Sequence, residues 1–290
     1  MKPERRRFHL NGSGWFALCF VALLVVVAVT GPALVGDPAA ISRDVLQPPG
    51  SSHTLGTDHL GRDVFARMVI GTRVSLVVGV LAAAMAMLIG VTLGAVSGFV
   101  GGKTDLVLMR IAEMFQALPT LVVAIAFVAL LGASLTNIVV VIAILSWAQI
   151  ARVTRAEVLR IRNQDFVNAV RALGFRESTI LFREIIPNAI PAVLPLIALG
   201  VAEAILQESS ISFLGLGSPD TITWGLLIRE GNQQILRAWW MIVFPGIAVF
   251  LTILAFNLLG DAVGRALNPK TRTEEPALAP ELIAVKGGGS

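Results

Sequence analysis

Six long runs of apolar residues dictate what this chain can fold into: Trp15–Val35, Val74–Phe99, Val107–Leu131, Leu135–Ala151, Ala189–Phe213 and Trp239–Gly260. About 20 such residues in a helix cross the roughly 30 Å of hydrocarbon in a bilayer. No water is available there to satisfy backbone N–H and C=O groups, so runs of this kind become helices. An all-α integral membrane protein with six transmembrane helices is predicted. The composition agrees, with 55% hydrophobic and 14% charged residues. Once the six runs are placed, no apolar sequence remains for a second folded domain. The expected organisation is an N-terminal tail (1–14), a first span (15–35), an outer segment (36–73), a membrane core with five further spans (74–268) and a C-terminal tail (269–290).

The net charge of +4 is not a nucleic-acid signal, because the basic residues cluster at membrane edges. Lys2, Arg5, Arg6 and Arg7 precede the first span. Arg152, Arg155, Arg160, Arg162, Arg171, Arg176 and Arg183 fill the loop 152–188, and Arg265, Lys270, Arg272 and Lys286 follow the sixth span. An even number of spans puts these three segments on one side, which the positive-inside rule makes cytoplasmic, together with both termini. The N-terminus is basic and then apolar like a signal peptide, but no small-residue cleavage site follows, so a retained first span is expected. Cys19 is the only cysteine, which excludes internal disulfides and cysteine metal sites.

In the outer segment, Thr57 or Asp58 is expected to cap a short surface helix running through Asp63, Phe65 and Met68 to Gly71. His53, Asp58, His59 and Asp63 are metal-compatible residue types, with helix capping and solvated polarity as the competing account. Gly101 to Asp105 is a tight turn between the second and third spans. Gly98 to Thr104 superficially resembles a phosphate-binding loop, but it is one residue short and follows a membrane helix. No ATP site, metal or cofactor is therefore assigned to this chain.

The polar stretch Asp165 to Pro187 is the most informative insert. Ala169, Ala172 and Leu173 fall at i, i+3 and i+4, a small apolar stripe beside Arg171 that suits a helix seated in a groove. Gly174 is placed to end that helix in a left-handed conformation, and Ser178 to cap the next one. A surface helix with no partner is the competing reading. Pro187, Pro191 and Pro195 recur every four residues at the start of the fifth span and are expected to bend it. Farther along, Glu203, Gln207 and Glu208 bring polarity to membrane depth, where such residues face a cavity or a partner. Glu203 and Glu208 lie about 140° apart around a helix, so they do not make one paired site.

These residues carry a resemblance. The run Asn168, Ala169, Val170, Arg171, Ala172, Leu173, Gly174 with Pro187 resembles the E-A-A-x-x-x-G and I-x-L-P coupling motif of binding-protein-dependent ABC importer permeases. Ala169, Gly174 and Pro187 match it. Asn168 stands where that motif has Glu, Val170 where it has Ala, Glu184 where it has Ile and Ile186 where it has Leu. His53 to Leu76, Ser212 to Gly225 and Trp239 to Asp261 are similar to segments of the dipeptide/oligopeptide/nickel branch. The resemblance implies a type I ABC importer permease fold with a cytoplasmic coupling helix, in a bacterial inner membrane. It also implies a second permease, two cytoplasmic ATPase subunits and a periplasmic or lipid-anchored solute-binding protein as partners. No covalent chemistry then belongs to this chain. Small peptides are the expected cargo, with nickel or a metal chelate as the alternative. A self-sufficient channel or secondary transporter using Glu203 and Glu208 is the reading from a different class, although the Gly and Pro positions do not repeat between the two halves.

Overall fold

The computed structural model describes residues 12–267. The basic cluster Lys2–Arg7, His9 and the tail 269–290 lie outside the described residues. The order is α1 (Gly12–Leu34), α2 (Val64–Val100), α3 (Gly102–Ala117), α4 (Thr120–Leu131), α5 (Leu135–Arg162), α6 (Asp165–Ala172), the short turn α7 (Glu177–Thr179), α8 (Ile186–Ile211), α9 (Trp224–Asn232) and α10 (Trp240–Leu267). Two π-helical segments, Ile180–Ile185 and Ser212–Leu216, flank α8. Among the described residues the only β pairing is an isolated bridge between Thr57 and Asp63.

Five helical runs are long and apolar enough to span a membrane: α1, α2, α5, Glu177–Leu216 and α10. The sixth is the pair α3 and α4, which meet at a bend of 89°. A straight span over Val107–Leu131 is therefore corrected. Pro119 lacks the N–H a continuing helix needs and forces the residue before it into extended geometry, as seen at Leu118 (φ −80°, ψ 137°). Four of the other boundaries also move. α2 begins at Val64 rather than Val74, because Asp63, not Thr57 or Asp58, is its N-cap and accepts from the Ala66 N–H at 2.9 Å. The expected surface helix ending at Gly71 is simply the first turns of α2. α5 runs on to Arg162, so four arginines expected in the loop sit on a helix. The connection shortens accordingly. The turn before α8 is capped by no side chain, and Ser178 lies inside it.

α2, α5 and α8 form the centre. One face of α2 carries Gly79, Ala82, Ala86, Gly90, Gly94 and Gly98, all buried. Small residues at this spacing let helix backbones approach closely, which is how helices associate without a hydrophobic drive from water. A Cβ on Gly90 would lie 2.6 Å from Ile150 Cβ, and one on Gly98 would lie 2.8 Å from the Arg155 carbonyl. α8 stays continuous through Pro191 and Pro195, and the carbonyl of Pro195 packs 3.1 Å from the position of a Cβ on Gly260 of α10.

The end of the bundle carrying residues 35–63 and α9 is closed by tryptophans. Trp224 is 1% exposed and packs among Leu76, Ile205 and Val249, with its indole donating to the Met68 carbonyl at 3.3 Å. Trp240 donates to the Thr57 carbonyl at 3.1 Å, holding the segment before α2 against α10. At the opposite end Arg155 of α5 grips Asp105 of α3 through Nε (2.5 Å) and Nη2 (2.7 Å).

Candidate functional site

At the Arg155 end, α6 is pinned by one face and bare on the other. Val167 is fully buried with Ala95, Val158, Ile161, Ile180, Leu181 and Ile185, while Val170 packs at the edge. Arg162 lies over the Phe99 ring at 5.8 Å, closing the side of this cluster. The sequence-derived stripe Ala169, Ala172 and Leu173 faces outward beside Asn168. Leu173 is 77% exposed, and Phe175 and Phe182 are exposed near it. Apolar side chains gathered on an otherwise polar end mark an interaction surface.

Arg171 is held in place rather than free. Its Nε donates to Glu177 at 2.7 Å and its Nη1 to Asn168 Oδ1 at 3.1 Å. Gly174 follows with φ +83°, and its N–H reaches the Arg171 carbonyl at 3.0 Å. An added Cβ would meet nothing within 4 Å, so the glycine answers the backbone conformation and not crowding. Pro187 is exposed in the first turn of α8, away from α6; Ile180, Leu181 and Ile185 bridge the two by packing under both.

A second feature lies between α2, α5 and α8. A recess with room for about 30 Å³ of water is lined by Ala86, Ser146, Gln149, Ile150, Gly200 and Glu203, among others. It sits at the mid-length of α2 and α5. The Glu203 carboxylate accepts from Gln207 Nε2 at 3.0 Å. Glu208 does not join it: this side chain is fully buried, accepting from Ser212 Oγ at 2.7 Å. Of the three polar residues expected along a path, the structure brings Glu203 to the recess, places Gln207 behind it and removes Glu208.

The residues grouped from the sequence as metal-compatible separate into two sets. Asp58, fully buried, accepts from the Leu60 N–H (2.8 Å), the Arg62 N–H (2.9 Å), Arg62 Nε (2.6 Å) and Arg67 Nη1 (2.6 Å). Burial pushes its carboxyl up, but the Arg62 and Leu60 N–H groups and the Arg62 guanidinium together hold it below its ordinary value. Arg67, 2% exposed, also bonds Glu230 of α9 at 2.5 Å. Asp58, His59 and Glu230 approach within 4.8 Å of one another. Two guanidinium groups already occupy both carboxylates, so the cluster is an ionic clasp between the segment before α2 and α9, unsuited to a cation. His53 belongs elsewhere, bridging Asp63 (3.2 Å) and Asp44 (3.3 Å).

Sequence reasoning passes over Glu230, Ser146 and Gln149. The last two are polar residues inside an apolar run, a signal that was available; Glu230 has none without the fold.

The family described as "Binding-protein-dependent transport system inner membrane component" matches residues 90–273, which include α6 and the α5 and α8 walls of the recess. The chain belongs to this family. Among its relatives, this permease is 40% identical to the dipeptide transport system permease protein DppC of Bacillus subtilis (strain 168), over 92% of this chain and 85% of that one. It is 36% identical to the oligopeptide permease OppC of the same organism, covering 93% and 90%. It is 37% identical to the glutathione permease GsiD of Pectobacterium atrosepticum, over 92% of this chain. The fold is that of ABC importer membrane subunits. An inward-facing MetNI methionine transporter chain superposes with TM-score 0.58 at 16% identity, covering 71% of this chain and 96% of that one. A chain of an amino acid ABC transporter gives TM-score 0.52 at 20% identity, covering 70% and 92%.

Proposed function

We propose that this permease forms half of the membrane pathway of an ATP-driven importer of small peptides, working as a non-catalytic subunit. The observation that carries the reading is the α6 surface: a buried inner face, an exposed Asn168–Ala169–Ala172–Leu173 face and a left-handed Gly174, in the stretch that resembles a coupling motif. The names of the relatives, dipeptide, oligopeptide and glutathione permeases, favour peptide cargo over the nickel alternative. The partners are a second permease, two ATPase subunits that receive α6, and a solute-binding protein at the clasp end. The basic residues of the α5–α8 connection favour a cytoplasmic α6, with the clasp on the outer side.

In this mechanism, ATP binding by the partners moves α6 as a rigid body. The packed Ile180, Leu181 and Ile185 pass the movement to α8, which changes access to the recess. This chain contributes no nucleophile or base to hydrolysis. The test is uptake of di- and tripeptides into proteoliposomes containing the complete transporter, with ATP. Leu173→Asp is expected to abolish uptake and ATPase stimulation while leaving membrane insertion intact. Uptake at the wild-type rate in that variant removes α6 from the coupling role.

A further inference from the structure

Several acids at the two ends of the bundle hold cations. Asp58 and Glu230 hold Arg62 and Arg67, Asp105 holds Arg155, Glu113 holds Arg110, Glu157 holds Arg160 and Glu177 holds Arg171. Neither Glu203 nor Glu208 of α8 has such a partner, but Glu208 is closed in with Ser212 whereas Glu203 opens into the recess. Its carboxylate meets only the amide of Gln207, and no arginine or lysine lines that recess. An acid at membrane depth without a counter-charge is costly and marks a place where a charge arrives. The rest of the recess suits a small polar head: Ser146 and Gln149 of α5 offer oxygen acceptors on one side, while Ala86 and Gly200 leave space for it. About 30 Å³ is room enough for a small polar group.

The geometry points to Glu203, with Ser146 and Gln149, as the subsite that takes the ammonium terminus of a peptide in transit. This inference rests on the peptide-importer reading. A primary ammonium donates three hydrogen bonds and carries one positive charge, which the carboxylate, hydroxyl and amide oxygens match in number and sign. Such a site confers specificity by charge within the membrane, separately from whatever the binding protein selects.

The test uses the complete transporter in proteoliposomes, given a mixture of di-alanine, tri-alanine and glutathione, in each of which the only ammonium is an α-amine. Uptake is followed by mass spectrometry at sub-saturating concentration and normalised to assembled complex. Glu203→Gln keeps an acceptor for the Gln207 amide and nearly the same volume, so a structural role would leave uptake unmoved. Glu203→Asp keeps the charge. The expected result is at least a tenfold loss in Glu203→Gln, equivalent to about 1.4 kcal/mol, with Glu203→Asp retaining most of the rate. Equal uptake by Glu203→Gln and wild type overturns the subsite and leaves the importer reading standing. A loss that disappears on normalisation, or one equal in both variants, also overturns it in favour of a subunit contact. Failure of the wild-type complex to take up any of the three overturns both readings.

Discussion

Replacing Arg67 by methionine removes the guanidinium shared by Asp58 and Glu230 while keeping an unbranched apolar stem. The wild-type cluster balances two carboxylates against two guanidinium groups, with Asp58 fully buried and Arg67 only 2% exposed. After the change one negative charge is left without a partner, in a largely buried site. Breaking a buried pair in this way costs about 3–5 kcal/mol, most of it from the stranded partner. A domain of this size loses roughly 2–4 °C of Tm per kcal/mol, so the apparent Tm of purified protein in detergent should fall by about 10 °C. Thermal unfolding followed by tryptophan fluorescence reads this directly, since Trp224 and Trp240 pack beside the clasp. The double variant Arg67→Met/Glu230→Gln restores neutrality and should recover part of the loss, with a coupling of about 0.5–3 kcal/mol. A fall of less than 2 °C in Arg67→Met, or strict additivity in the double variant, would show that the clasp does not close this end of the molecule.

Other outcomes follow from the same structure. Hydrogen bonds that the His53 ring donates to Asp63, then Asp44, raise its pKa above the ordinary value of 6.5. Its contribution to stability is therefore full below that value and lost as pH rises through the higher folded-state pKa; His53→Asn should flatten the Tm–pH profile above pH 6.5. Gly94→Val places a Cβ against the Ala151 carbonyl and 2.8 Å from Thr154 Cβ. That overpacking should cost about 1–3 kcal/mol and lower the yield of folded protein from membranes. Gly174→Leu forces a branched side chain into φ +83°, a cost of about 1–2 kcal/mol, and is expected to abolish coupled uptake with normal membrane insertion.

The spans are legible in the sequence because hydrocarbon demands unbroken apolar helices, and their ends are not, because ends are set by tertiary partners. α2 extends back to its Asp63 cap across Arg67, which interrupts the apolar run and is neutralised by Asp58 and by Glu230, 163 positions away. The break at Pro119 is written locally, in the lost N–H and the extended Leu118, yet the apolar run on both sides conceals it. The extension of α5 to Arg162 depends on Asp105 receiving Arg155 from another helix. For the sites the division is similar. The stripe on α6 and the helix-ending Gly174 are visible as spacing and residue type. Which of Glu203 and Glu208 meets the recess follows from the rotation of α8 against α2 and α5, which periodicity along a single run does not fix.

The central claim is that this permease works only as part of an assembly that supplies ATPase and a second pathway half. Affinity capture of the chain from its native membrane, with mass spectrometry of what accompanies it, tests that most directly. A second, related permease together with one or two ATPase subunits should accompany it, and in Leu173→Asp the ATPase subunits should be lost while the second permease stays. Recovery of the chain alone, or as a homo-oligomer that moves solute in liposomes without nucleotide, would contradict it.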